Sequence, residues 1–219
     1  MRHSARWILT AVAASLVLAV AIQDTQAQSK AKAAYPAVAG AGAAGAGAAS
    51  ERVVRIREFV GFGPRGLART PEYTSSAPSG KNPSRDWAQL VVLFDSEPEW
   101  MDEVTFQYYA LLHLRTSDDY TLMRGAVTHL DVARGRGHMS SAYLRPSTLA
   151  RYGEVAAVAV EILYKGEVVA VASDGKMPKG QLPAEWWKNP RLAPKEGYIL
   201  NKAQTPFALV NFDDFEAIK

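Results

Sequence analysis

The chain has 219 residues, 48% of them hydrophobic, which is enough for a single sizeable core, and a net charge of +3 with no cysteine. The absence of cysteine excludes disulfides, a thiol nucleophile and attachment through a lipidated cysteine. Arg2 and Arg6 against Asp24 account for one positive charge and Lys30 with Lys32 for two, so the region 51–219 is formally neutral and lacks the excess of basic charge that nucleic-acid binders carry.

The first 27 residues predict a cleavable signal peptide. Arg2, His3 and Arg6 precede an apolar run from Trp7 to Ile22, and Thr25-Gln26-Ala27 supplies small residues at the cleavage positions. The run falls short of the roughly 20 apolar residues of a membrane-spanning helix and passes directly into polar Gln23 to Gln26, which favours cleavage over retention as an anchor. Residues 28–50 are rich in Ala and Gly, with side chains too small to offset the entropy of ordering, and predict a flexible tether.

Strands dominate the chain beyond the tether. Arg52 to Val60 alternates imperfectly and reads as a first strand, with Val54, Ile56 and Glu58 expected on one face. The Gly-, Pro- and Ser-rich stretch 61–85 reads as a long loop and a candidate binding surface. Trp87 to Phe94 carries a near-continuous apolar run, the pattern of a central strand covered on both faces. Asp95 to Glu99 predicts a turn, after which Val104 to Arg115 alternates cleanly. A turn at Ser117 to Asp119 leads into Tyr120 to Val132, where Gly125 suggests a bulge.

Pro146 to Tyr152 predicts a short helix that ends at Gly153. Glu154 to Tyr164 and Glu167 to Ser173 form a hairpin through Lys165-Gly166, a register that sets Ile162 opposite Val169 and Val160 opposite Val171. A helical turn at Pro183 to Trp187 and a last strand from Thr205 to Asn211 complete the domain. About seven strands with one or two short helices predict a mostly β fold, an immunoglobulin-like β-sandwich over 51–219, with a small closed barrel as the alternative.

The inventory for chemistry is thin. His113, His129 and His138 have no metal-ligand spacing, and His129 is expected opposite Phe106 and Gln107. No nucleophile elbow or phosphate loop is present, and no cofactor or metal is expected. The acidic groups Asp95/Glu97/Glu99, Asp118/Asp119 and Asp213/Asp214 fit turns better than a carboxylate pair. The candidate partner or ligand contacts are aromatic: Trp100 beside the acidic turn, the adjacent Trp186 and Trp187, and Tyr109 on the polar face of its strand. Against this stands burial of the tryptophans as caps on the core, whereas Tyr109 and Leu111 suggest a second covered face suited to a subunit contact.

Two motifs carry a family resemblance. Pro98-Glu99-Trp100-Met101-Asp102-Glu103-Val104-Thr105-Phe106-Gln107-Tyr108-Tyr109 and Arg145-Pro146-Ser147-Thr148-Leu149-Ala150-Arg151-Tyr152-Gly153, the latter followed by the Tyr164-Lys165-Gly166-Glu167 hairpin, resemble the pilus-like proteins found beside type IV pilus genes in Verrucomicrobia. The resemblance implies a secreted, non-enzymatic, sandwich-like protein of a pilus-like assembly or the cell envelope that associates with itself or with other envelope proteins. The chain departs from ordinary type IV pilins, which keep a long apolar N-terminal helix, so contacts would have to run through strand edges or the tether. The alternative is a monomeric extracytoplasmic module that binds a glycan or peptide through Trp186, Trp187 and the 61–85 loop. A hydrolase built on Asp213 or Asp214 is a third reading.

Overall fold

A computed structural model describes residues 53–62, 66–71, 85–117, 119–175, 182–212 and 215–219. The signal peptide, the tether, most of the 61–85 loop, Asp118, Asp213 and Asp214 lie outside the described residues. Among those described, no helix is long and apolar enough to cross a membrane.

Among the described residues eight strands join in one sheet, β1 (Val54–Gly61), β2 (Leu67–Arg69), β3 (Asp86–His113), β4 (Tyr120–Leu144), β5 (Glu154–Tyr164), β6 (Glu167–Gly175), β7 (Lys195–Glu196) and β8 (Ile199–Asn201), with one α-helix, α1 (Pro146–Tyr152), between β4 and β5. The hydrogen-bonded path runs β6-β5-β3-β4-β7, while β1 and β2 pair with the first part of β3 and β8 with the last part of β4. The fold is therefore mostly β and sandwich-like. An immunoglobulin-like arrangement would divide its strands between two sheets, whereas here the ladder is continuous.

The hairpin of β3 and β4 is the frame. Straight, the 28 residues of β3 would span roughly 90 Å at about 3.3 Å per residue, far beyond a domain with a radius of gyration of about 15 Å. The ring centroids of Phe94 and Phe106 nevertheless lie 4.8 Å apart, so the ladder folds back between them. The register shifts between Phe94 and Ser96 and between Ser96 and Trp100, where Asp95 to Glu99 turns the chain without leaving the ladder. On β4, Asp131 adopts φ 52° and Gly137 φ 77°, the left-handed conformations that bulges use.

The fold-back presses one face of the sheet onto itself. Leu90, Val92 and Phe94 from the first half of β3 meet Met101, Val104, Phe106, Tyr108, Ala110 and Leu112 from the second, and all are fully buried. The change from even positions through Phe94 to Met101, and back to even positions from Val104, is the side-chain signature of the corner.

Local chemistry explains most of the elements, and tertiary contact explains the departures. In β1 a bulge between Ile56 and Glu58 reverses the phase, so Phe59 rather than Glu58 packs on the core. The β5–β6 turn has positive φ at both Lys165 (51°) and Gly166 (82°), as a two-residue type I′ turn requires. The pairing starts at Tyr164↔Glu167 as expected, but a bulge between Ile162 and Leu163 shifts it, so Ile162 faces Ala170 and Val160 faces Ala172. Gly125 is not a bulge: it pairs with Tyr108 in unbroken register. A Cβ there would lie 2.6 Å from Cβ of Ile199, so the glycine admits the approach of β8. The β3–β4 register closes at His113↔Tyr120, which puts His129 opposite Val104 and not opposite Phe106 and Gln107.

No strand forms over Thr205 to Asn211. A 3-10 turn over Lys202–Gln204, held by reciprocal capping between Asn201 and Gln204, leads into further turns, and Phe207 inserts between Trp87 and Tyr143. Gly125→Ala is expected to lower stability by about 1–3 kcal/mol through overpacking against Ile199. The measurement is the urea midpoint, and an unchanged midpoint would mean that β8 yields freely.

Candidate functional site

Three of the four aromatics singled out by sequence meet on the outer face of β3, β4 and β5. Leu111, Leu122, Ala157 and Ala159 form an apolar floor there, and the segment around Trp186 and Trp187 lies over it with both indoles buried. Trp186 packs edge-on against Trp187 at 5.6 Å, and Trp187 lies 6.3 Å from Tyr109. The second covered face anticipated at Tyr109 and Leu111 exists, and its cover comes from the same chain. Trp100 is separate, 61% exposed at the corner of the sheet.

At the centre of the covered face stands Glu161. It is the one charged residue in the apolar run of β5, and its carboxylate accepts from the Trp187 indole N–H at 3.0 Å and from the Tyr109 hydroxyl at 3.1 Å. The Lys188 ammonium lies 3.3 Å from it and also contacts Glu185. Burial pushes the Glu161 pKa up, but the donors from Trp187, Tyr109 and Lys188 outweigh it and hold the carboxyl below its ordinary value. Burial and the neighbouring carboxylate raise the Tyr109 hydroxyl. The signal for this residue, a single glutamate between Val160 and Ile162, was present in the sequence, but its donors come from distant segments.

A second polar group sits within the core. The Tyr108 hydroxyl donates to Ser140 Oγ at 2.8 Å, and His129 Nε2 lies 2.7 Å from the same oxygen. Burial depresses the His129 pKa to about 4, against a smaller opposing effect from the Glu216 backbone. The imidazole is therefore neutral near neutrality and serves as a core hydrogen-bonding group.

At the corner, Glu216 Oε1 lies 2.5 Å from His138 Nδ1, and His138 Nε2 lies 3.2 Å from Ser96 Oγ. Carboxylate, imidazole and hydroxyl follow the order of an acyl-transfer triad. The serine, however, is 3% exposed, donates its proton to the Ala133 carbonyl at 2.6 Å and accepts from the Gly135 N–H at 3.0 Å. An attacking serine must give its proton to the imidazole, so this arrangement ties the corner and the C-terminal segment together. Asp95, from the neighbouring acidic turn, accepts from the Gly137 N–H at 3.0 Å and pairs with Arg57.

Two pH dependences are expected. His129 takes up a proton in the unfolded chain near its ordinary pKa of about 6.5 but in the fold only near 4, so its contribution to stability is complete above about 6.5 and is lost as pH falls toward about 4. Melting temperature against pH should show this slope, and His129→Gln should flatten it. Glu161 acts in a lower window, because its stabilisation is present above its unfolded pKa of about 4.3 and lost as pH falls through its depressed folded value. Glu161→Ala, which strands the Trp187 and Tyr109 donors, is expected to cost about 1–3 kcal/mol in urea unfolding at pH 7.

Comparison with known proteins finds no match among curated sequences. Among solved structures, the crystal structure of a protein from the verrucomicrobium Akkermansia muciniphila matches with a TM-score of 0.62 and 22% identity, covering 76% of this chain and 92% of that one. At that identity the likeness shows a shared fold. Residues 66–219 match the model of a pilus-like protein family. Because that match spans well over half of the sequence, the chain belongs to this pilus-like protein family.

Proposed function

We propose that this protein is an exported, non-enzymatic building or interaction component of a pilus-like assembly or of the cell envelope, and that it associates with further copies of itself. Family membership over residues 66–219 carries the reading. The surface supports it: Trp100, Leu209 and Phe212 are 61%, 78% and 68% exposed, although the fold finds buried places for most of its other large apolar side chains. Large exposed aromatics and leucines are candidate anchors for a protein contact. The signal-like N-terminus supports export, and the Ala/Gly-rich 28–50 segment supplies a spacer between the domain and an attachment point.

The reading of Trp186 and Trp187 as a ligand platform is disfavoured by their burial against Tyr109 and Glu161. The test is the native mass of the exported protein by size-exclusion chromatography with light scattering over a wide concentration range. A mass that rises with concentration, and that falls back toward one chain in Trp100→Ser with Phe212→Ser, is the expected result. A single-chain mass throughout would exclude self-association through this domain.

A further inference from the structure

An open cleft of about 610 Å³ lies where β3 begins, β4 ends and the turns after β8 pass. Its chemistry is one-sided. Among the described residues Arg85 and Arg145 both line it, no aspartate or glutamate does, and neither guanidinium has an ion-pair partner. Asp86, next to Arg85, is engaged by Arg69 at 3.9 Å.

The two arginines are anchored through their main chains, and neither guanidinium is hydrogen-bonded to another of the described residues. The Arg85 carbonyl accepts from both the N–H and the hydroxyl of Thr70 at 2.9 Å, and the Arg145 carbonyl accepts from the N–H groups of Thr148 and Leu149 at 2.9 and 3.1 Å. Both side chains are exposed. Gln204 accepts from the Asn201 N–H through Oε1, which leaves its amide NH₂ to donate into the cleft. Ser147 adds a hydroxyl. The Thr205 hydroxyl is already satisfied, donating to the Lys202 carbonyl at 2.7 Å and accepting from the Phe207 N–H at 3.2 Å.

The remaining wall is apolar. Trp87 is held by its indole N–H on Thr70 at 3.1 Å and by edge contact with Phe207 at 5.8 Å, and Pro206 lines the cleft beside it. Two guanidiniums suit an oxyanion. The volume falls within the range of small-ligand sites, about 300–1,000 Å³, and is larger than a bare tetrahedral anion needs. A peptide would bring backbone N–H donors that need acceptors, whereas Gln204 Oε1 and the Arg85 carbonyl are already engaged. A sugar unit carrying an acidic group fits both halves, its anionic group on the arginines, its hydroxyls on Ser147 and Gln204, and its C–H face on half-buried Pro206 and on the 9% of Trp87 that stays exposed beside it.

We propose that this cleft binds an acidic monosaccharide unit, with Arg85 and Arg145 holding its carboxylate or sulfate. The site is independent of the self-association reading, since it uses neither Trp100 nor Phe212. Isothermal titration of the exported protein with sodium glucuronate should give binding that weakens as salt is raised, that falls about tenfold or more in Arg85→Ala and in Arg145→Ala, and that glucose does not reproduce. Both substitutions are at exposed side chains, and an unchanged melting temperature would confirm that the fold is intact. Sodium sulfate and N-acetylaspartate serve as the comparison probes. Absence of glucuronate binding, equal binding of glucose, equal or tighter binding of either comparison probe, or full affinity in the arginine variants would each overturn the proposal.

Discussion

A two-stranded ladder as long as β3 with β4 has to bend, and the bend must occur without leaving buried peptide groups unpaired. Most of the architecture results from how this is done. Between Phe94 and Trp100 the ladder shifts register twice, and side chains bridge the irregular stretch: Ser96 bonds to both Ala133 and Gly135, Asp95 accepts from Gly137, and Arg134 donates to the Glu97 carbonyl. With those groups satisfied, the two halves of one sheet close on a shared core, which places Phe94 on Phe106 and brings Ser140 to Tyr108 and His129. The C-terminal segment reinforces the same region through Glu216 on His138 and through backbone bonds from Leu130 to Ala217 and from Lys219 to Thr128.

Folding the sheet on itself leaves its outer face to be covered. Over β3, β4 and β5 the cover is Trp186 and Trp187, and Glu161 fixes the second of these by a hydrogen bond. A buried carboxylate would destabilise this surface if left alone. With an indole, a phenol and an ammonium directed at it, it instead sets the position of the covering segment. At the other end, Trp87, Phe207 and Tyr143 form a smaller cluster that gives the arginine-lined cleft its rigid wall. The aromatics thus divide into those that close the fold and those, led by Trp100 and Phe212, that it leaves exposed. Family membership gives the exposed group its significance as a candidate contact surface.

The functional reading rests on different kinds of residue from those that first draw notice. Adjacent tryptophans suggest stacking on a ligand, yet Trp186 and Trp187 are spent on the core. Histidine, serine and glutamate in sequence order suggest nothing, yet they meet at the corner in a triad-like order whose serine is locked to backbone partners. Arg85 and Arg145, 60 residues apart in the sequence, become neighbours of one cleft only because β3 begins where β4 ends, with Ala88 paired to Leu144.

Local sequence was enough to establish the β character, the helix Pro146–Tyr152 with Gly153 at its end, the Lys165-Gly166 turn and the clean alternation from Val104 onward. These features depend on proline at a helix start, on glycine and its neighbour at positive φ, and on a period of two. Local sequence could not show that Trp87–Phe94 and Val104–His113 are one strand, since a corner within a ladder and a turn between strands use the same residues. Nor could it place the bulge beside Ile162, the approach of Ile199 to Gly125, or the turns that replace a strand over 205–211. Each of these is decided by which distant segment packs alongside, and a one-residue change in register leaves the local pattern almost unchanged while it re-aims every side chain beyond it. The site residues divide in the same way: their identities were legible, but their company was fixed only when the sheet closed on itself.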